Sequence, residues 1–280
     1  MKKMPMFKKT ILLVVLSIGA FVYIFPFYWV AITSFKTPPE ASSWPPTFFP
    51  NNVVFDAYRE VWKVFTFPRW FFNSILVAVL VVIVVVFFTS LAAYAFSFFE
   101  FPGKTLLFLF ILSTLMIPMH IRMIPSYILV KTMNLLESFP GLILPQAAAV
   151  CGLGTFWLRQ YNTYIPRDLI DAARIDGCSE LGIFTRIVLP LVKPALVALG
   201  VFAFLSSWND FLWPLIVVHA DAMKTLPVGL LDMSPIALTH KMTWPQRMAG
   251  TSIVVFPLLI LFFFFRDLFV RSVAVTGLKE

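Results

Sequence analysis

The chain is 280 residues long, 60% hydrophobic and only 13% charged, with a mean hydropathy of +0.88. Soluble domains carry about a quarter charged residues and disordered chains have the opposite balance, so a single water-soluble domain and a disordered chain are both excluded. The net charge of +8 is dispersed between long apolar runs rather than gathered on a polar face, which excludes a nucleic-acid-binding surface.

A helix needs about 20 apolar residues to cross a hydrocarbon core of about 30 Å. The first charge-free run, 10–35, follows Lys2, Lys3, Lys8 and Lys9. It is longer than the about 7–15 apolar residues of a signal peptide and has no A-x-A cleavage site, so it reads as an uncleaved first span. Residues 36–52 are Pro-rich and cannot form regular helix. Residues 53–66 regain helical spacing, with Val54, Tyr58, Val61, Trp62 and Phe65 on one stripe. Two readings stand for that segment, an interfacial aromatic belt and a partner-docking surface. The second span is 70–99 and the third 105–121, where Pro118 and His120 are expected to fray the end. The fourth, 138–158, carries Gly152 and Gly154, which suit close helix packing.

A fifth run, 194–220, is broken only by Asp210, and 248–265 forms the sixth. The expected fold is therefore all-α and integral to the membrane, a single domain over 1–280 with six transmembrane helices and no internal repeat. An even span count puts both termini on one side. With the N-terminus inside, 13 of the 22 Lys and Arg fall inside and 9 outside, which favours cytoplasmic termini. Cys151, Cys178, His120, His219 and His240 stand apart from one another, so no metal site is expected.

The segment 159–193 is too long and too polar for an inert connection. Pro166 sits where a helix can start. Arg167, Asp171 and Arg174 share a helical face and can pair. Gly177 permits a sharp turn, and Ser179 can cap a second helix through Ile183 and Ile187. Pro190 and Pro194 then restart the chain into the fifth span. The small side chains of Ala172 and Ala173 let a partner's backbone approach. Two readings remain open, a hairpin resting on lipid headgroups and a rigid knob for a cytoplasmic partner.

Asp210 in the fifth span is costly unless it faces protein or water. Ser206, Ser207 and Asn209 flank it and Trp208 and Trp213 bracket it, parts that suit a sugar as well as a structural helix-bridging cluster. Trp213 stands three residues on and should line the same side, whereas Asn209 lies about 100° round the helix. Gly103-Lys104-Thr105 resembles the end of a phosphate-binding loop, but Phe98 occupies the position that requires Gly, so the chain carries no ATPase motif.

Asp171-Ala172-Ala173, three residues, Gly177, nine residues and Ile187-Val188-Leu189-Pro190 resemble the EAA motif of membrane subunits of binding-protein-dependent ABC importers. Asp171 stands where Glu is usual. Phe101-Pro102-Gly103-Lys104, Met116-Ile117-Pro118, the run Ser207–Leu215 and Thr225-Leu226-Pro227-Val228-Gly229 are similar to the carbohydrate-uptake branch, and the likeness covers about residues 70–275. It is nearest to the second permease of the maltose, multiple-sugar and glycerol-phosphate importers.

The resemblance implies a type I importer permease fold with a cytoplasmic coupling hairpin over 159–193. It implies a second similar permease, two ATPase subunits that bind ATP and Mg, an extracytoplasmic solute-binding protein, surrounding lipid, and a bacterial or archaeal cytoplasmic membrane. This chain itself would hold no cofactor and catalyse nothing. Asp171, Ala172, Ala173, Arg174, Gly177, Ile187, Leu189 and Pro190 would meet the ATPase, Trp208, Asn209, Asp210 and Trp213 would line the pathway, and the tail 275–280 would reach between the ATPase subunits. The rival classes are an integral membrane lipid-modifying enzyme, which needs convergent polar groups at one membrane face, and a self-sufficient secondary transporter, which needs paired intramembrane charges.

Overall fold

A computed structural model describes residues 6–64, 66–233 and 242–276. Phe65, His240, Lys2, Lys3, Lys241 and residues 277–280 of the tail lie outside them. The described residues are helical and contain no strand.

In chain order, α1 (Met6–Thr33) is followed by the single turn α2 (Pro38–Ala41) and by α3 (Asp56–Val64). The second long helix is α4 (Phe67–Phe98). A bent pair, α5 (Lys104–Leu115) and α6 (Met119–Thr132), leads to α7 (Phe139–Asn162). Two short helices, α8 (Arg167–Ile175) and α9 (Glu180–Ile183), run through a π turn at Phe184–Val188 into α10 (Leu189–Trp208). The chain ends with α11 (Leu212–Val217), a 3-10 turn at Asp221–Met223, α12 (Leu226–Asp232) and α13 (Trp244–Thr276). Five stretches are long and apolar enough to cross a membrane, and six if the bent pair counts as one. That agrees with the six expected spans.

Two spans differ from the sequence expectation. The run 105–121 is not one helix, because α5 and α6 meet at 105° across Met116–Pro118. Proline has no N–H and holds the residue before it out of helical conformation, so Pro118 opens a new helix instead of fraying an old one. By itself α5 is only about 18 Å long. The fifth run is also displaced. Its helix is continuous over Glu180–Trp208 and stops before Asp210. Pro190 does not restart the chain. The π turn widens the hydrogen-bond ladder just ahead of it, where an α turn would press the ring against the carbonyl four residues back.

Cα packing divides the chain into two compact units. The first comprises residues 1–68 and 229–259. In it, α1 exposes apolar side chains all round, as a lipid-facing helix must. The Pro-rich stretch forms only the turn α2 and wraps the buried Lys36, whose Nζ donates to the Thr47 carbonyl at 2.5 Å and lies 4.6 Å from the Trp29 ring. Part of the expected stripe of α3 faces its own unit, while Trp62 of that stripe is exposed. Val61 and Ala57 are buried, Tyr58 meets Phe35 and hydrogen-bonds Ser34, and the Glu60 carboxylate accepts from Gln246.

The second unit, residues 69–228 and 260–280, contains the main core. Buried positions Val77, Val81, Val85, Thr89 and Ala93 recur every four residues along α4, and Leu142, Gln146, Val150, Gly154 and Leu158 do the same along α7. These stripes meet Leu199 and Ala203 of α10. A Cβ at Gly154 would lie 2.8 Å from Thr89 and 3.1 Å from Leu199, and one at Gly152 would press on Leu115 and Thr114. Both glycines therefore set how closely α7 approaches its neighbours, as their positions in the fourth run suggested.

Candidate functional site

The segment 159–193 is a folded hairpin. Pro166 precedes α8, Ser179 Oγ accepts from the Gly182 N–H at 3.2 Å to cap α9, and Gly177 turns between them at φ +81°. Ile170, Ala173, Ile183, Phe184 and Val188 form its core together with Tyr94. Ala173 thus points inward. Ala172 is exposed beside Asp171, Gly177 and Pro190, whereas Ile187 and Leu189 are half-buried. Around the turn, Leu169, Ile175 and Leu181 are exposed, Ile175 by 86%.

Arg174 organises the polar side of the hairpin. Its Nη1 lies 3.1 Å from Asp171, the expected helical pair, and its Nε donates to Glu180 at 2.8 Å across the turn. The bond to Glu180 is the larger reason that the guanidinium is held above its ordinary pKa. At the start of α5, Lys104 donates to the Phe99 carbonyl at 2.7 Å and to Glu100 at 2.9 Å, across the connection from α4.

A second feature of this unit is a cavity of about 930 Å³ bordered by α6, α7 and the break between α10 and α11. Asn209, Asp210 and Trp213 all line it. Because the helix ends at Trp208, the 100° per residue of a helix no longer separates Asn209 from Asp210. The Asp210 carboxylate accepts from the Trp213 N–H at 3.4 Å, and the Trp213 indole donates to the Gly141 carbonyl at 3.0 Å. A Cβ at Gly141 would sit 2.0 Å from the Leu135 carbonyl, so only glycine fits there. Trp208 is not brought to the cavity. It is buried against Phe71 and Phe204. His120 and Arg122 of α6 stand on the cavity wall as well.

Residues 6–275 match the family described as binding-protein-dependent transport system inner membrane component. The chain belongs to that family. It is 35% identical to the arabinooligosaccharides transport system permease protein AraQ of Halalkalibacterium halodurans, over 93% of this chain and 92% of that one. It is 32% identical to the sn-glycerol-3-phosphate transport system permease protein UgpE of Pectobacterium atrosepticum, over 92% and 93%. Its fold matches a bacterial ABC transporter involved in the import of the acidic polysaccharide alginate, with a TM-score of 0.84 at 21% identity over 93% of this chain and 96% of that one. The chain is a multi-pass inner-membrane permease of an ABC transport system.

Three residues of this permease escape helical spacing. Glu180 joins Arg174 only because Gly177 reverses the chain between them. Tyr94 reaches Glu180 from 86 residues away. Gln146 reads as one more residue of an apolar run, yet it is buried, accepts from Ser207 Oγ at 2.6 Å and keeps its Nε2 without a protein partner on the cavity wall. A polar residue at an a-type core position of α7 is the one signal that could have found it.

Proposed function

We propose that this permease forms half of the pathway of an ATP-driven importer for a sugar, an oligosaccharide or a glycerol-phosphate-type solute delivered by an extracytoplasmic binding protein. Transport of such solutes by the systems of its relatives supports the cargo class. A second similar permease completes the pathway, and two ATPase subunits bind ATP and Mg. The 1–280 chain acts as one permease domain, with both termini and the hairpin 159–193 in the cytoplasm. Asn209, Asp210 and Trp213 face the solute path, and Trp208 supports them from behind.

The observation that carries this reading is the hairpin tip. Its inner face is closed by Ile170, Ala173 and Ile183, while Leu169, Ile175 and Leu181 stand exposed around Gly177. A rigid apolar knob with a charged flank suits the cleft of a soluble ATPase. A Cβ at Gly177 would meet nothing within 4 Å in this chain, so apart from backbone strain at its positive φ a side chain there projects into open space where a partner would dock. Closure of the ATPase pair would then push α8 and α9, and through the continuous helix Glu180–Trp208 would move the cavity wall.

The orientation is tested with the chain's own thiols. Cys178 is exposed in the hairpin and Cys151 is half-buried in α7. On a Cys151→Ser background, a membrane-impermeant maleimide should label Cys178 in inside-out vesicles stripped of their ATPase subunits and not in intact cells. Labelling from outside intact cells would overturn the orientation and the docking role together.

A further inference from the structure

The hairpin is bonded to α4 as well as to its own helices. Tyr94, buried one turn before the end of α4, donates its hydroxyl to Glu180 Oε2 at 2.7 Å. Glu180 in turn accepts from Arg174 Nε at 2.8 Å and Nη2 at 3.4 Å. The Tyr94 ring is fixed from three sides by Phe98, Phe99 and Phe184, at centroid distances of 5.4, 5.6 and 5.3 Å. Three residues further along α4, Ser97 Oγ accepts from Asn162 Nδ2 at 3.0 Å, at the base of the hairpin. The last two turns of α4 are thus held at both ends of the hairpin, by Asn162 where it starts and by Glu180 after its turn.

We propose that Tyr94 and Glu180 are positioning residues that gear α4 to the hairpin. A push on α8 and α9 moves α10 directly, because the helix is continuous. It moves α4 only through side chains. Van der Waals packing resists compression but resists sliding poorly. A charge-assisted hydrogen bond between a clamped phenol and a carboxylate already locked by Arg174 supplies the directional tie. With it, α4 and α10 move together, and the Gly154 contact with Thr89 and Leu199 stays intact during the stroke. Without it, the hairpin still docks and the ATPase still closes, but part of the motion is lost as slip between α4 and α9.

This inference rests on the docking reading, and one experiment separates the two. The full complex, reconstituted in liposomes with its binding protein, is compared as wild type, Tyr94→Phe, Glu180→Gln, the double variant and Gly177→Asp. Arabinooligosaccharide, maltooligosaccharide and glycerol-3-phosphate serve as the probe solutes. Tyr94→Phe keeps the ring and its packing and removes only the donor. The expected result is normal assembly and ATP hydrolysis with uptake about tenfold lower, the factor of one hydrogen bond to a charged group, so that ATP consumed per solute rises by the same factor. The losses of Tyr94→Phe and Glu180→Gln should be less than additive in the double variant, because both act on the Tyr94–Glu180 bond, while Glu180→Gln also weakens the Arg174 pair. A wild-type ratio in Tyr94→Phe, or uptake that falls only in step with complex yield, would overturn the gearing. ATPase subunits that co-purify normally with Gly177→Asp would instead remove the docking reading itself.

Discussion

The hairpin 159–193 and the break at 209–211 are both polar interruptions in an apolar chain, and they differ in how they are built. The shape of the hairpin itself is set by local devices, namely the Ser179 cap, the left-handed Gly177 and the Asp171–Arg174 pair, with α4 bonded to it from outside. The break has one local bond, from the Trp213 N–H to Asp210, and is otherwise held from a distance, since Trp213 is held by Gly141, 72 residues away, and Ser207 by Gln146, 61 away. A local device keeps its shape when a neighbour moves. A structure held from elsewhere shifts with whatever holds it. This suits the hairpin to transmit force and the break to respond to it.

Substitutions at three positions test that contrast. The largest effect is expected from Gly177→Asp. At φ +81° a side chain costs about 1–2 kcal/mol, less for Asp than for most residues, so the permease should still insert. Uptake and ATPase binding should fall together to near background, measured by co-purification and by transport in the same vesicles. Normal uptake at normal expression would mean that the tip meets no partner. Next comes Asp210→Asn. Asn keeps an oxygen that can accept from the Trp213 N–H, so α11 should keep its start and the complex its thermal stability, while solute uptake falls several-fold from loss of the charge. Asp210→Ala should add a stability loss of about 1 kcal/mol. If Asp210→Asn transports normally, the carboxylate is only a cap. The smallest effect is expected from Asp171→Glu. Its pair with Arg174 is largely exposed, and such pairs contribute about 0–1 kcal/mol. Uptake should stay within about twofold of the parent, and a large loss would mean that the shorter carboxylate is itself read by the partner.

The same contrast explains what the sequence made legible. Charge-free runs place α1, α4 and α7 to within a few residues, because lipid demands them, whereas the fifth helix lies more than ten residues earlier than its run. The hairpin's turn, cap and first ion pair are legible because each is set within four residues of chain. Pro118 announces a disturbance, but a proline's effect on direction depends on what the next helix packs against, and a 105° bend followed instead of a frayed end. The stop of α10 at Trp208 is invisible to hydropathy, since Phe211-Leu212-Trp213 continue the apolar run beyond it. The family resemblance places Trp208 on the pathway with its neighbours, although two residues of continuous helix would already turn it about 200° away from Asp210. Once the helix ends, Trp208 belongs to the last turn packed on Phe71 and Phe204, and Asp210 to the cavity. Tyr94, Glu180 and Gln146 acquire their roles only from long-range packing.

The π turn at Phe184–Val188 gives the helix Glu180–Trp208 a phase. A π turn accommodates about one residue more than the α turn it replaces, and each residue turns a helix by about 100°. Deleting a single residue within Phe184–Val188 would let the ladder close toward ordinary α-helix, at the cost of pressing the Pro190 ring against the carbonyl four residues back. It would also rotate Glu180 about 100° away from Tyr94, relative to the Ser207 and Asn209 end of the same rod. The two ends of this helix are therefore keyed to each other like cams on a shaft. A family member that gained or lost one residue here would need a matching change at the other end to keep its timing.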